Sequence, residues 1–199
     1  MFSVGDEVVH RVHGAGIITD KKEMQITKTS NRYLVIEMPE SDSTLMVPTD
    51  KAEQRLRPVS KVTTLRYLLT EILTGQPNKL PKDYKERRER INNKLKSGEI
   101  RKWIEVVRDL AHRREQGRKS RVDNRLLERT THLLAGELAL AQGIDPEKAE
   151  SRLTFIVEHP NEFKDQQAGT GWLRTLVHLV QRIMRLFTES ETQATADAR

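Results

Sequence analysis

The hydrophobic period of this chain changes once, near residue 60, from two residues to about 3.6, and that change restricts it to a small sheet followed by helices. Ahead of the change, β-branched and apolar residues recur in short runs at Asp6 to Val12, Ala15 to Thr19, Arg32 to Met38, Thr44 to Val47 and Gln54 to Val59. Gly14, Gly16, the region around Asn31, Pro39 to Ser43 and Pro48 separate them. Strands this short hide their apolar sides by curling into a small barrel-like sheet. The expected fold class is therefore α+β, with a barrel in residues 1–60 and an all-α part in residues 61–159. In Thr44-Leu45-Met46-Val47-Pro48, Leu45 and Val47 point to one side, Thr44 and Met46 to the other, and Pro48 ends the ladder. Such an uncharged strand is either central to the sheet or an edge open to pairing with another protein.

Beyond the change, Val62, Leu65, Leu68, Leu69 and Ile72 form a helical stripe opened by Ser60 and broken at Gly75 to Asn78. Pro81, Asp83 and Glu86 favour a helix start and Gly98 a left-handed stop, so a second helix runs from about Pro81 to about Lys96 with Ile91 and Leu95 as its stripe. Tyr84 shares that phase, which leaves it either capping the stripe or acting at the surface. Ile100, Trp103, Ile104, Val107, Leu110 and Ala111 mark one buried face, with Trp103 in the core. After a polar, basic connection from His112 to Arg121, a helix carrying Leu126, Leu127, Leu133, Leu134, Leu138 and Ala141 stops at Gly143. Asp145-Pro146 opens a last one carrying Ala149, Leu153, Ile156 and Val157. Each stripe needs the others for burial, which makes a bundle of about five helices.

Charge is unevenly distributed. Residues 1–60 carry 8 Lys/Arg against 9 Asp/Glu, residues 61–131 carry 20 against 10, and residues 132–199 carry 7 against 10. The positive excess lies in the middle helices, where it reads as a footprint for polyphosphate or as a solvated face laced with ion pairs. Lack of cysteine excludes disulfides and thiolate metal sites, and no apolar run approaches the roughly 18 residues of a spanning helix, so a soluble cytoplasmic protein is expected. His13-Gly14-Ala15-Gly16 lacks the Lys-Ser/Thr of a phosphate loop and reads as a tight turn. His10 and His13, three apart in a strand region, are expected on opposite faces with no third ligand. No nucleophile and base or paired carboxylates stand out, so no catalysis, cofactor or metal is expected.

Phe2, Val4-Gly5-Asp6, Val8-Val9, His13-Gly14-Ala15-Gly16, Tyr33-Leu34-Val35, Met46-Val47-Pro48, Leu95-x-Ser97-Gly98, Glu105 to Leu110 and Gly136 to Ala141 together resemble the CarD/CdnL family of bacterial transcription regulators, over about residues 2–158. The resemblance implies a Tudor-like barrel, similar to the polymerase-binding domain of transcription-repair coupling factor, that docks on the β subunit of RNA polymerase. It also implies a helical domain that contacts promoter DNA at the upstream edge of the melted region and stabilises the open complex. By position, Met24, Thr44, Leu45, Met46, Val47 and Pro48 fall on the polymerase surface. Tyr84 falls where relatives place a Trp that wedges against unwound DNA, and Lys85, Arg87, Arg88, Arg121 and Arg125 are the implied DNA contacts. Tyr at 84 keeps a π-face with less stacking area, and Asn124 stands where some relatives are basic. The residues themselves leave two other readings open: an autonomous nucleic-acid binder and a protein-interaction scaffold with no DNA role.

Residues 160–199 exceed the usual family length. A polar linker at 160–171 leads to an amphipathic helix at 172–187, with Trp172, Leu173, Leu176, Leu179, Val180 and Ile183 among its apolar side, and then a disordered tail at 188–199. So wide an apolar face calls for burial on protein, in cis or through self-association or a further partner, rather than on a membrane.

Overall fold

The computed structural model describes residues 2–25, 30–39, 42–118 and 120–159. The linker, amphipathic helix and tail expected in 160–199 lie outside the described residues. Five antiparallel strands, β1 (Glu7–His10), β2 (Gly14–Gln25), β3 (Ser30–Met38), β4 (Ser43–Pro48) and β5 (Leu56–Pro58), stand in the order β4, β3, β2, β1, β5. The expected closure into a barrel is not found: β4 and β5 are the two edges of an open sheet. A 3-10 turn at Thr49–Lys51 and the short helix α1 (Ala52–Arg55) carry the chain between them and shorten the last strand.

Strand β2 runs well past the expected end at Thr19 because its alternation is interrupted there. Ile18 pairs with Ile36 and Asp20 with Val35, so Thr19 is a bulge. The extra residue moves Asp20, Lys22 and Met24 to the face opposite Ile18, and a period-two reading stops where the period slips. The core face holds Val8, Ile18, Leu34, Ile36, Met38, Val47, Ala52 and Leu56, with Phe2 and Leu45 packed against it. At Gly16 a Cβ would stand 2.6 Å from the Glu37 carbonyl and 2.7 Å from Ile36 Cγ2, so this strand position tolerates only glycine.

At the end of β1 the backbone leaves the strand, and residues 11–13 form a turn. The expectation that His10 and His13 face apart is thereby corrected: their ring centroids are 4.9 Å apart. Buried His10 accepts the Val12 and His13 backbone N–H groups at Nδ1, at 3.2 and 3.3 Å, which puts its proton on Nε2. Burial, then the neighbouring His13, Arg55 and Arg11, lower its pKa to about 4. The unfolded chain therefore binds this proton where the folded one does not. Stability is complete above the ordinary histidine pKa of about 6.5 and declines as pH falls toward 4. Denaturant midpoints measured across that window are expected to fall for the natural chain and to fall less for His10→Asn. Parallel curves would assign the acid sensitivity to other groups.

Five helices follow: α2 (Val62–Leu73), α3 (Tyr84–Lys96), α4 (Ile100–Glu115), α5 (Arg121–Gln142) and α6 (Pro146–Glu158). Leu65, Leu68, Leu69 and Ile72 of α2 are buried as their spacing requires, but Ser60 does not cap the helix. Lys61 occupies that position, and the Ser60 N–H is bound to Glu137. Helix α3 starts at Tyr84, three residues later than expected, because the Asp83 side chain accepts the Glu86 N–H and so takes the cap. Trp103 is fully buried and donates from Nε1 to the Leu95 carbonyl at 3.0 Å. Ser120 caps α5, and Gly143 ends it at φ +61° with the Ile144 N–H returned to Ala139.

Sheet and helices belong to one compact unit, residues 1–158. Arg57 of β5 crosses into the bundle and meets the carboxylate of Glu137 on α5 with two bonds of 2.6 Å, while the Ser60 N–H adds a third at 3.0 Å. Its Nε donates to the Gly98 carbonyl at 2.7 Å, and the guanidinium lies 5.6 Å from the Trp103 ring centroid. The Glu137 side chain is 0% exposed. Gly98, at φ +71°, lies against Arg11, whose Cγ would be 2.6 Å from a Cβ there.

Candidate nucleic-acid interface and docking edge

Strand β4 bonds to β3 on one side and has no strand on the other among the described residues, so it is an edge rather than a central strand. Its alternation falls as the sequence requires. Val47 and Leu45 turn to the sheet core, whereas Thr44 and Met46 are exposed, Met46 at 42%. The side chains of Leu45 and Val47 are therefore corrected from docking surface to core. Pro48, opposite Tyr33, ends the pairing. Cross-strand register puts Met46 beside Val35 and Met24 beside Asn31, on the same outer face of the sheet. The two methionines are separated along β3 by four residues, about 13 Å, so Met24 lies beyond the end of β4 and does not join the Met46 patch directly.

The second candidate surface is built at the start of α3. Positions 87, 91 and 95 form the buried stripe of this helix, so it is Arg87, and not Tyr84, that extends the phase of Ile91 and Leu95. Tyr84 is 39% exposed at the first turn, with Lys85 and Arg88 exposed beside it. Arg87 is 4% exposed. Its Nε donates to Asp123 Oδ1 at 3.3 Å, its Nη1 to the Pro81 and Lys82 carbonyls at 3.0 Å each, and its guanidinium lies 5.8 Å from the Tyr84 ring. Arg113 of α4 takes the other Asp123 oxygen at 3.0 Å. Arg87 is thereby corrected from a phosphate contact to a buried strut: Nε is spent on Asp123 and Nη1 on the turn that presents Tyr84.

Arg121 and Arg125 are exposed one turn apart on α5, and Arg129 repeats the spacing. Asn124 is half-buried between them. Asp123 and Arg113, which hold the site together, do not stand out in the sequence; a carboxylate at the third position of a capped helix is the one available signal. Among the described residues no group of three or more His, Cys, Asp or Glu side chains could hold a metal ion. No helix among them is long and apolar enough to cross a membrane.

An antiparallel sheet open at β4 and β5 is thus joined to a basic helical bundle that carries a half-exposed aromatic at a helix start. Residues 2–60 match the CarD-like/TRCF RID domain and residues 68–154 match the CarD C-terminal domain. The chain is also 32% identical, over 152 residues, to a Bacillus subtilis (strain 168) protein named "Putative transcription factor YdeB", an alignment that spans 76% of this chain and 99% of that one. The chain belongs to the CarD family of transcription regulators.

Proposed function

We propose that this protein docks on the β subunit of RNA polymerase through the β4 edge and the outer sheet face, and stabilises the open promoter complex by placing Tyr84 against DNA at the upstream edge of the melted region. Lys85, Arg88, Arg121 and Arg125 supply phosphate contacts that read no bases. The observation that carries this reading is Tyr84 itself: an aromatic left 39% exposed at a helix start whose turn is fixed by a buried ion pair. An aromatic already uncovered at a fixed turn needs no rearrangement of the fold to reach a base. Stacking on one base is worth about 1–3 kcal/mol, and 1.4 kcal/mol shifts an open-complex equilibrium about tenfold.

The test separates the two surfaces. Tyr84→Ala is expected to shorten open-complex lifetime about tenfold at unchanged polymerase affinity, with Tyr84→Trp restoring it. Met46→Glu is expected to weaken polymerase binding while thermal melting stays the same, because the side chain is exposed. Equal lifetimes for the three residues at 84 would remove the wedge. Normal polymerase binding by Met46→Glu would move the docking surface elsewhere.

A further inference from the structure

Helix α5 begins beside the Tyr84 site, where Asp123 holds Arg87, and its later turns lie against the sheet, where Leu133 Cδ2 is 3.1 Å from the Cβ position of Gly14 and Glu137 meets Arg57. Along this course Arg121, Arg125 and Arg129 are all exposed and recur at intervals of four, one face of the helix over about 12 Å. The stripe does not stop at the helix. Arg129 reaches the Val12 carbonyl at the β1–β2 turn, 3.4 Å from its Nη2. There the exposed Arg11 and Arg55 come together through the Arg11 N–H, which donates to the Arg55 carbonyl at 3.3 Å. Both lie close enough to His10 to help depress its pKa. Glu128 is the exposed carboxylate on α5 that flanks the stripe.

We propose that this stripe is a phosphate track for duplex DNA, running from Arg121 and Arg125 through Arg129 to Arg11 and Arg55, so that the sheet contributes to DNA binding as well as the helices. The proposal rests on the DNA reading above and extends it. Three features favour a nucleic-acid backbone over an acidic protein surface. The helical cations recur in a line along α5 rather than in a patch, all five are arginines, whose fork suits phosphate oxygens, and Arg129 links that line to the turn beside Arg11. Arg129 spends one N–H on Val12 and keeps the rest of its five donors. The near-neutral overall charge of residues 1–60 conceals this end of the track in the sequence.

The experiment uses the full chain and a short fluorescent duplex of arbitrary sequence, with affinity measured across a salt series. Removing one arginine–phosphate pair lowers the slope of log K against log salt by about 0.9, so Arg11→Gln, Arg55→Gln and Arg129→Gln combined are expected to lower it by about 2.7 at an unchanged melting temperature. Triple replacement by lysine is expected to retain the slope. An unchanged slope in the triple glutamine variant, while Arg121→Gln with Arg125→Gln still lowers it, would end the track on α5 and leave the DNA reading standing. Loss of polymerase affinity with an unchanged slope would make the surface a protein contact and overturn the proposal. No salt-dependent binding by the natural chain, free or on polymerase, would remove the DNA reading and the track together. The single substitutions, at about 0.9 each, decide the matter if the triple variant melts early.

Discussion

Glu137→Ala is expected to cost about 3–5 kcal/mol of stability, the usual consequence of removing one partner from a buried ion pair. The residue is wholly enclosed, and its loss strands both the Arg57 guanidinium and the Ser60 N–H. For a chain of this size each kcal/mol shifts the melting temperature by about 2–4 °C, so a drop of roughly 6–20 °C is expected by calorimetry. Glu137→Leu combined with Arg57→Met tests whether the loss is that of an orphaned charge: the double variant is expected to be more stable than Glu137→Leu alone. If the double variant is instead the least stable, the pair contributes net attraction beyond its own desolvation. A loss below about 1 kcal/mol for Glu137→Ala would show that water reaches the site and satisfies Arg57.

Arg87→Ala is expected to cost about 3 kcal/mol, less than Glu137→Ala because Arg113 still pairs with Asp123 when Arg87 is gone. The Pro81 and Lys82 carbonyls lose their donor, so the turn ahead of Tyr84 is expected to loosen. On the proposed reading, DNA engagement is then expected to weaken with no change in the salt slope, since Lys85, Arg88, Arg121 and Arg125 are all still present. Arg88→Ala and Arg125→Ala are expected to do the opposite, lowering the slope by about 0.9 each with melting unaffected. A lowered slope at unchanged stability for Arg87→Ala would return this residue to the DNA surface.

How far the sequence reaches can be judged at individual residues. The stripes of α2, α4 and α5 are legible because burial of apolar side chains has a fixed period, and Trp103 and Leu134 sit where that period puts them. Thr19 is not legible as a bulge, since one inserted residue changes the phase without changing the composition, and the strand pattern of β2 breaks off there. The open sheet is hidden for a related reason: closure depends on whether β4 reaches β5, and the intervening turns are what set that distance. At the candidate site, Tyr84, Lys85, Arg88, Arg121 and Arg125 are exposed where their helices put them. Arg87 escapes because a pattern of apolar residues treats every arginine as surface. A long side chain can fill a core position when a carboxylate waits there, and nothing local in the sequence announces Asp123 thirty-six residues away.

The Arg57 bridge also sets what kind of motion the protein can transmit. Were the sheet and the helices joined by a slack linker, a change in how the β4 edge sits would be absorbed between them, and Tyr84 would find its target by local search. Arg57 instead holds Glu137, the Gly98 carbonyl and the face of Trp103 at once, which ties the sheet to the bundle through one side chain. Under the proposed function, a rotation at the β4 edge would then be carried to Tyr84 rather than lost between the two parts. Under the function proposed above, the distance from the docked edge to the arginines of α5 would likewise be set when the chain folds.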